Sequence, residues 1–166
     1  PAFVAVVAKV TRNAKPCEGD SNFSKFDFWV GDWDVQQTGV PRAPVGASSH
    51  VEKILSGCVI FENWEPGPGG AGKSFNIYNT ATKKWEQYWV DATGRITHYF
   101  GEFRDDGNLY YEAFQFGTAS KVRMTFFNQG PGQVRHASFR LGSQFKQRRQ
   151  GRFGLRHQLR SRQRDR

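Results

Sequence analysis

Between Phe26 and Asn128 the chain alternates short runs of apolar and β-branched residues with short polar segments rich in glycine, asparagine and aspartate. This pattern is typical of β-strands joined by tight turns. It predicts no long helix, but Asp20–Asp27 predicts one short helical turn capped by Asp20 or Ser21. The predicted strands are Phe28–Gln37, Ser48–Leu55, Cys58–Trp64, Lys73–Asn79, Lys84–Asp91, Arg95–Arg104, Asn108–Phe116 and Lys121–Asn128.

Several of these runs place aromatic residues on both faces of a strand. In Lys84–Asp91, for example, Trp85, Gln87 and Trp89 share one side while Tyr88 lies on the other. A single sheet with one face in water would expose too much ring surface. We therefore predict an all-β fold, an antiparallel meander that closes into a barrel of about eight to ten strands, or closes incompletely.

Charge divides the chain into parts. The net charge of +9 resides in residues 133–166, which sum to +10, whereas residues 1–132 sum to −1. A segment this rich in arginine, with few apolar residues, repels itself and is expected to be disordered. We predict an N-terminal segment over 1–22, a β-barrel domain over 23–145 and a basic, disordered tail over 146–166.

The N-terminal segment and the cysteines bear on location. The chain begins at Pro1, and residues 2–8 are apolar but shorter than the about 20 residues that span a bilayer. We interpret them as the remnant of a signal peptide, with an N-terminal edge strand as the alternative, and predict no membrane span. Cys17 and Cys58 are either one disulfide or two unrelated thiols. A disulfide requires an oxidising compartment, so we expect a periplasmic or secreted protein.

A specific resemblance joins four blocks of the sequence. Residues 26–35 read FDFWVGDWDV, and GCVIFENW (57–64), GKSFNIYN (72–79) and WEQYWVD (85–91) follow in order. Together they resemble a family of uncharacterised, often exported bacterial proteins with calycin or lipocalin-like barrels. The resemblance implies a lipocalin-like barrel and a disulfide between Cys17 and Cys58. Gly31-x-Trp33 is similar to the G-x-W of the first lipocalin strand, which implies that Trp33 closes the barrel floor after a bend at Gly31.

The resemblance ends near His136. Members of the family continue with a tryptophan-containing strand and a tyrosine-rich strand that close the barrel, whereas this chain becomes rich in arginine and glutamine. We interpret the end of the chain as altered or frame-shifted, without a pattern of core residues. The barrel then has an open edge unless the N-terminal segment or the tail covers it.

Candidate chemistry is sparse. The sequence contains no nucleophile elbow, zinc-protease motif or phosphate loop, so we predict no catalytic residue and no metal ligand. Polar residues that alternate with aromatics are candidates to contact a ligand inside the barrel. A buried Glu62 would need a partner or a raised pKa, and a surface carboxylate is the alternative. The predicted ligand-binding residues are Glu62, Trp64, Asn76, Gln87, Trp89 and His98. The aromatic set Trp64, Trp85, Trp89, Tyr99 and Phe114 either lines a cavity or packs the core.

We predict non-enzymatic binding of a small, largely apolar molecule inside the barrel, as a carrier or sensor. One alternative is an enzyme that uses Glu62 with a nearby aspartate or histidine as acid and base. Another is binding of nucleic acid or an anionic surface through the arginine-rich tail, which we disfavour because Phe153 is its only aromatic platform. Haem held by His136 is a cofactor alternative. Neither the ligand nor the oligomeric state follows from the sequence.

Overall fold

The computed structural model describes residues 17–38, 46–67, 70–114, 121–141 and 155–161. Within these ranges the chain is all-β with antiparallel strands, which confirms the predicted fold class. None of the helices described is long and apolar enough to cross a lipid bilayer. The strands are β1 Gly31–Thr38, β2 Ala47–Ile54, β3 Val59–Glu65, β4 Gly72–Asn79, β5 Lys84–Asp91, β6 Ile96–Phe103, β7 Leu109–Phe114, β8 Lys121–Asn128, β9 Gln133–Leu141 and β10 Leu155–Ser161.

All eight strands predicted from the alternation of polar and apolar residues are present as β1–β8. Two of them, β5 and β8, have the predicted bounds. The largest difference is at β1, which was predicted to begin at Phe28. Residues Asp27–Trp29 instead form a 3-10 helix, so the strand begins at Gly31.

Strands β1–β9 form one continuous meander, in which each strand pairs with the next along the chain. Taken alone, this meander is a curled sheet that is open between β1 and β9. Strand β10 lies between these two edges, and Leu159 is in register with Val35 of β1 and with Val134 of β9. The ring of strands is thereby closed.

The closing strand lies in the last part of the chain. Leu155–Ser161 belong to the segment predicted to be disordered, and in the structure they form β10. Strand β9, over Gln133–Leu141, extends beyond His136, where the resemblance ends. A sheet edge offers unpaired N–H and C=O groups to any strand, whatever its side chains. The rest of 146–166, like the suggested signal remnant in residues 2–8, lies outside the described residues.

A short irregular segment leads into the first strand. The predicted capped turn is confirmed as a 3-10 helix over Ser21–Ser24, in which the Asp20 carboxylate accepts a hydrogen bond from the Asn22 backbone N–H at 2.8 Å. A disulfide joins Cys17 to Cys58 in the turn between β2 and β3, 41 residues along the chain. Lys53 of β2 donates to the Asp27 carboxylate at 2.8 Å. These contacts fix the segment against the end of the barrel.

Aromatic rings fill that end of the barrel. Phe26 is fully buried among other rings. The distances from its ring centroid to those of its neighbours are 4.9 Å for Trp29, 5.6 Å for Trp85, 6.1 Å for Phe103 and 5.0 Å for Phe126. Each such ring removes about 150–250 Å² from water. We call this the closed end. The turns β2–β3, β4–β5, β6–β7 and β8–β9 lie at the same end, because alternate turns of a meander share one rim.

Candidate functional site

A cluster of polar side chains lies on the inner wall of the barrel, between the closed end and the opposite rim. Side chains alternate across a strand, and cross-strand partners share a face. Glu62 of β3 is in register with Ser74 of β4, and Asn76 of β4 with Gln87 of β5. Glu62 is 8% exposed, and the other three are at most 3% exposed. The fold thus brings together three of the residues predicted to contact a ligand.

Hydrogen bonds connect this cluster and converge on Glu62. The Ser49 hydroxyl donates to Glu62 Oε1 at 3.0 Å, and the Ser74 hydroxyl donates to Glu62 Oε2 at 2.8 Å. Ser74 Oγ in turn accepts from Asn76 Nδ2 at 3.0 Å and from Gln87 Nε2 at 3.3 Å. A hydroxyl has a single hydrogen and two lone pairs. Because two amides occupy the lone pairs of Ser74, its hydrogen is directed to Glu62.

The orientation of the Asn76 amide is fixed by its surroundings. Asn76 Nδ2 also donates to the backbone carbonyl of Ile60 at 3.4 Å, and a carbonyl can only accept. The Asn76 oxygen therefore faces the other way, where it accepts a hydrogen bond from the Tyr111 hydroxyl at 3.3 Å. Tyr111 extends the network to β7, on the far side of β5 and β6.

Burial gives Glu62 an unusual acidity. Desolvation raises the pKa of its carboxyl from 4.5 to about 7, although the hydrogen bonds from Ser74 and Ser49 and the charge of Lys73 act in the opposite direction. Lys73 forms an ion pair with Glu65, at 3.2 Å between Nζ and Oε1. Lys73 is in register with Asn63 of β3. Because Glu62 and Trp64 on either side of Asn63 face inward, Asn63 and its partner Lys73 lie on the outer face. Near neutral pH both forms of Glu62 are populated.

The rim opposite the closed end is lined by aromatic side chains that are less deeply buried. Trp64, Trp89 and Tyr99 face inward but remain half-buried. We call this the open end. The Trp89 indole lies over Gly72, where an added Cβ would stand 2.2 Å from Trp89 Cη2. Glycine at this position makes room for the ring against the wall.

One predicted ligand contact, His98, is not in the interior. It is in register with the outward-facing Tyr88, and its neighbour Tyr99 takes the inward position. Its ring centroid is 4.0 Å from Tyr88 and 4.0 Å from Phe100, and its Nε2 is 2.9 Å from Glu86 Oε2. His98 belongs to an aromatic patch on the outer surface, because the alternation of β6 places it one residue out of phase with the inner wall.

Trp33 and Gly31 lie where the chain enters the barrel. Trp33 is 3% exposed and packs in the core that includes Phe26, and its indole N–H donates to the Trp29 carbonyl at 2.8 Å. Gly31 has a φ of 145°, a conformation that side chains with a Cβ rarely adopt. The ring of Trp33 is thus fixed directly after the bend.

Two further predicted residues have different positions. The His136 ring stacks on Phe126, with centroids 4.7 Å apart, and haem binding by His136 stays a prediction. The side chain of Phe114 lies outside the described part of the structure. Across the described ranges, no group of three or more histidine, cysteine, aspartate or glutamate side chains is placed to hold a metal ion.

Ser49, Ser74 and Tyr111 were not among the residues predicted from the sequence to contact a ligand. A signal for Ser74 was present in β4, where Ser74 and Asn76 alternate with Phe75 and therefore share the face of a predicted polar anchor. No comparable pattern marks Ser49, which contacts Glu62 on the neighbouring strand, or Tyr111, whose partner Asn76 is 35 residues away.

A groove of about 490 Å³ lies on the outside of the barrel. It is lined by Phe100, Tyr110 and charged residues of β6–β8. Its carboxylates, Glu102 and Glu112, pair with Lys84 and Arg123. Tyr111 also lines the groove, whereas Glu62, Ser74 and Gln87 do not, so most of the polar cluster lies away from it.

No protein-family model and no curated protein matches the chain.

Proposed function

We propose that this protein binds a small, largely apolar ligand inside its barrel, as a carrier or sensor without catalytic activity. The observation that carries this proposal is the half-burial of Trp64, Trp89 and Tyr99, all of which face inward at the open end. Inward-facing rings that keep solvent contact leave apolar surface for a ligand to cover. At the closed end, by contrast, Trp85, Leu109 and Phe126 are at most 3% exposed.

The polar cluster supports the same proposal. Ligand sites combine mostly apolar walls with a few polar groups that orient the ligand. Glu62, Ser74 and Gln87 supply such groups on the inner wall, and Trp89 stands directly across from Ser74 in register. The resemblance to exported bacterial proteins with lipocalin-like barrels agrees with this function and is likewise part of the proposal.

Two measurements test the binding function. Native mass spectrometry of the purified protein should reveal a small molecule that copurifies with it. Nile red, a neutral apolar dye, should gain fluorescence on binding. We expect Trp89→Ala to weaken dye binding by about fivefold or more, a loss near 1 kcal/mol. The matched control is Tyr88→Ala, which removes a ring from the outer face of the same strand and should change affinity by less than about twofold. Equal effects of the two variants would argue against binding in the interior.

An acid–base enzyme is the second candidate, and the raised pKa of Glu62 favours it. This enzyme was hypothesised to use an aspartate or histidine beside Glu62. The described hydrogen bonds of the Glu62 carboxylate come instead from the hydroxyls of Ser49 and Ser74. If a copurified molecule is converted chemically by the wild-type protein but not by Glu62→Gln, the enzyme is favoured. A molecule recovered unchanged supports a carrier.

Location and further partners complete the proposal. The disulfide between Cys17 and Cys58 is compatible with a periplasmic or secreted protein, since such bonds persist in oxidising compartments. Binding of nucleic acid through the arginine-rich tail stays a prediction. Deletion of residues 162–166, which follow β10, would reduce salt-sensitive binding if the tail carries it.

A further inference from the structure

Among the residues that the structure describes, no basic side chain forms an ion pair with the buried carboxylate of Glu62. Among the described residues, Lys73 is the basic side chain whose charge acts on Glu62, and it lies on the outer face in an ion pair with Glu65. Glu62 is 8% exposed, and the described side chains that contact its carboxylate are the neutral hydroxyls of Ser49 and Ser74. Buried charges are ordinarily paired, because an unpaired charge is costly to desolvate.

The hydrogen bonds around Glu62 leave room for a further donor. The lone pairs of Ser74 Oγ are occupied by the amides of Asn76 and Gln87, so the Ser74 hydroxyl donates its hydrogen to Glu62 Oε2. Glu62 Oε2 is therefore an acceptor in this hydrogen bond. An ionised carboxylate has about four lone-pair sites, and the two serines use two of them. The remaining sites can accept N–H donors of a ligand.

We propose that the ligand is a small organic cation, an ammonium group on an apolar body, whose ammonium pairs with Glu62 while its body lies against Trp64 and Trp89. This inference rests on the proposed binding function and names the chemical class of the ligand.

The aromatic surroundings agree with a cation. Trp64 lies two residues beyond Glu62 on the same face of β3, and Trp89 is in register with Ser74, which contacts Glu62 directly. Neighbours across a sheet stand about 5 Å apart, within reach of one small ligand. The face of a tryptophan ring attracts ammonium groups through its quadrupole. The same ring packs against apolar groups. A cation on an apolar body therefore matches both the charge and the walls.

An anionic ligand is the competing possibility at the rim. Arg140 is in register with the buried Val122 and so lies on the inner face. Burial raises the pKa of the Tyr99 hydroxyl, and the positive charge of Arg140 acts in the opposite direction. Arg140 is itself exposed to solvent, whereas Glu62 is buried. The interior therefore favours a cation, and an anion serves as one arm of the test.

The test uses three probes of similar shape: phenethylamine, phenethyl alcohol and 3-phenylpropionate. Binding to the full chain is measured by calorimetry at pH 8, where Glu62 is ionised and the amine keeps its proton, since alkyl ammonium groups lose it only near about pH 10. We expect the amine to bind at least about tenfold more tightly than the alcohol. Glu62→Gln should remove this preference. The control, Glu52→Gln, changes an exposed carboxylate on the outer face of β2 and should preserve it.

Each outcome decides something. Equal or tighter binding of the alcohol or the propionate would overturn the assignment of a cation and leave barrel binding intact. Failure of all three probes, together with failure of Nile red, would overturn both proposals. The wild-type series separates cation, neutral and anion by itself, so the conclusion does not depend on the folding of a variant.

Discussion

Two tryptophans on one face of β5 differ in what surrounds them. Trp85 is 3% exposed and packs against Phe26, Tyr78 and Phe103 at the closed end. Trp89, four residues further along the strand, faces the same interior but remains half-buried over Gly72. Residue type, strand and face are identical. The difference arises because the described part of the N-terminal segment inserts the rings of Phe26 and Trp29 at the closed end, where Trp85 lies.

This difference separates stability from binding. A ring enclosed by other rings contributes through packing, and its contacts are complete without a ligand. A ring that lines the open end contributes less to the free energy of unfolding and more to the affinity for a ligand that covers it. We therefore expect changes at the closed end to affect unfolding, and changes at the open end to affect binding.

The largest effect should come from truncation of the closed-end tryptophan. We expect Trp85→Ala to lower the free energy of unfolding by about 3–5 kcal/mol, because it leaves a cavity among rigid rings. Trp89→Ala should cost less than about 2 kcal/mol, since its side chain is less completely buried than that of Trp85. Urea denaturation followed by circular dichroism measures both variants. Similar losses would show that the two ends do not differ in packing.

Removal of the disulfide should also weaken the closed end. The bond between Cys17 and Cys58 closes a loop of 41 residues, for which chain entropy alone predicts about 4 kcal/mol and measured bonds usually give about 2–4. We expect the double variant Cys17→Ser, Cys58→Ser to unfold at lower urea than the oxidised protein. Addition of a reductant should shift the midpoint of the oxidised protein and leave that of the variant unchanged. If the reductant leaves the urea midpoint of the wild-type protein unchanged, the disulfide does not stabilise the fold.

The pH dependence of stability should report on Glu62 in the interior. Its pKa is about 7 in the folded protein and near 4.5 when unfolded. Below pH 4.5 both states are protonated. Between pH 4.5 and 7 the unfolded state ionises first, so stability falls as pH rises, by up to about 3 kcal/mol at 1.36 kcal/mol per pKa unit. Above pH 7 the difference is constant.

Glu62→Gln should remove this decrease, so that the variant becomes more stable than the wild type as pH rises from 5 to 8. Paired carboxyls such as Glu112, whose pKa is lowered by Lys121 and Arg123, have the opposite dependence in both proteins and cancel in the comparison. The exposed Glu52→Gln serves as the control. Parallel stability curves for wild type and Glu62→Gln would refute the raised pKa.

Two glycines provide the finest comparison. A Cβ at Gly101 would meet the Tyr110 carbonyl oxygen at 2.4 Å, which is rigid backbone, whereas at Gly72 it would meet only the Trp89 ring. We expect Gly101→Ala to cost about 1–3 kcal/mol through overpacking. Gly72→Ala should cost less than about 1 kcal/mol, because the ring can move, but it should shift the tryptophan fluorescence and weaken Nile red binding. A larger stability loss at Gly72 would mean that Trp89 is held rigidly.

Much of the barrel wall could be predicted from the sequence, because strand alternation and turn residues are local signals. The alternation also placed Glu62, Asn76 and Gln87 on one face. His98 was misplaced because its strand has rings on both sides, so the pattern alone does not say which face is inside. Tyr111 joins the cluster through Asn76, which lies 35 residues away, and Ser49 joins it through Glu62 on the neighbouring strand; alternation within one strand encodes neither contact.

The closing strand was missed for a related reason. Its sequence, LRHQLRS, alternates with a period of two, but the surrounding arginines obscure that signal. Only the open edges of β1 and β9 provide partners that fix such a segment as a strand.

By itself, the sequence determined that this chain is a β-meander with aromatic residues on both faces of its strands, since turns and alternation depend on neighbouring residues. The tertiary structure decided which face became the interior, which end was filled by Phe26 and Trp29, and that Glu62 became a buried carboxyl with a raised pKa. Burial and desolvation depend on every element that closes around a residue, and so they exist only once the strands have closed into a ring.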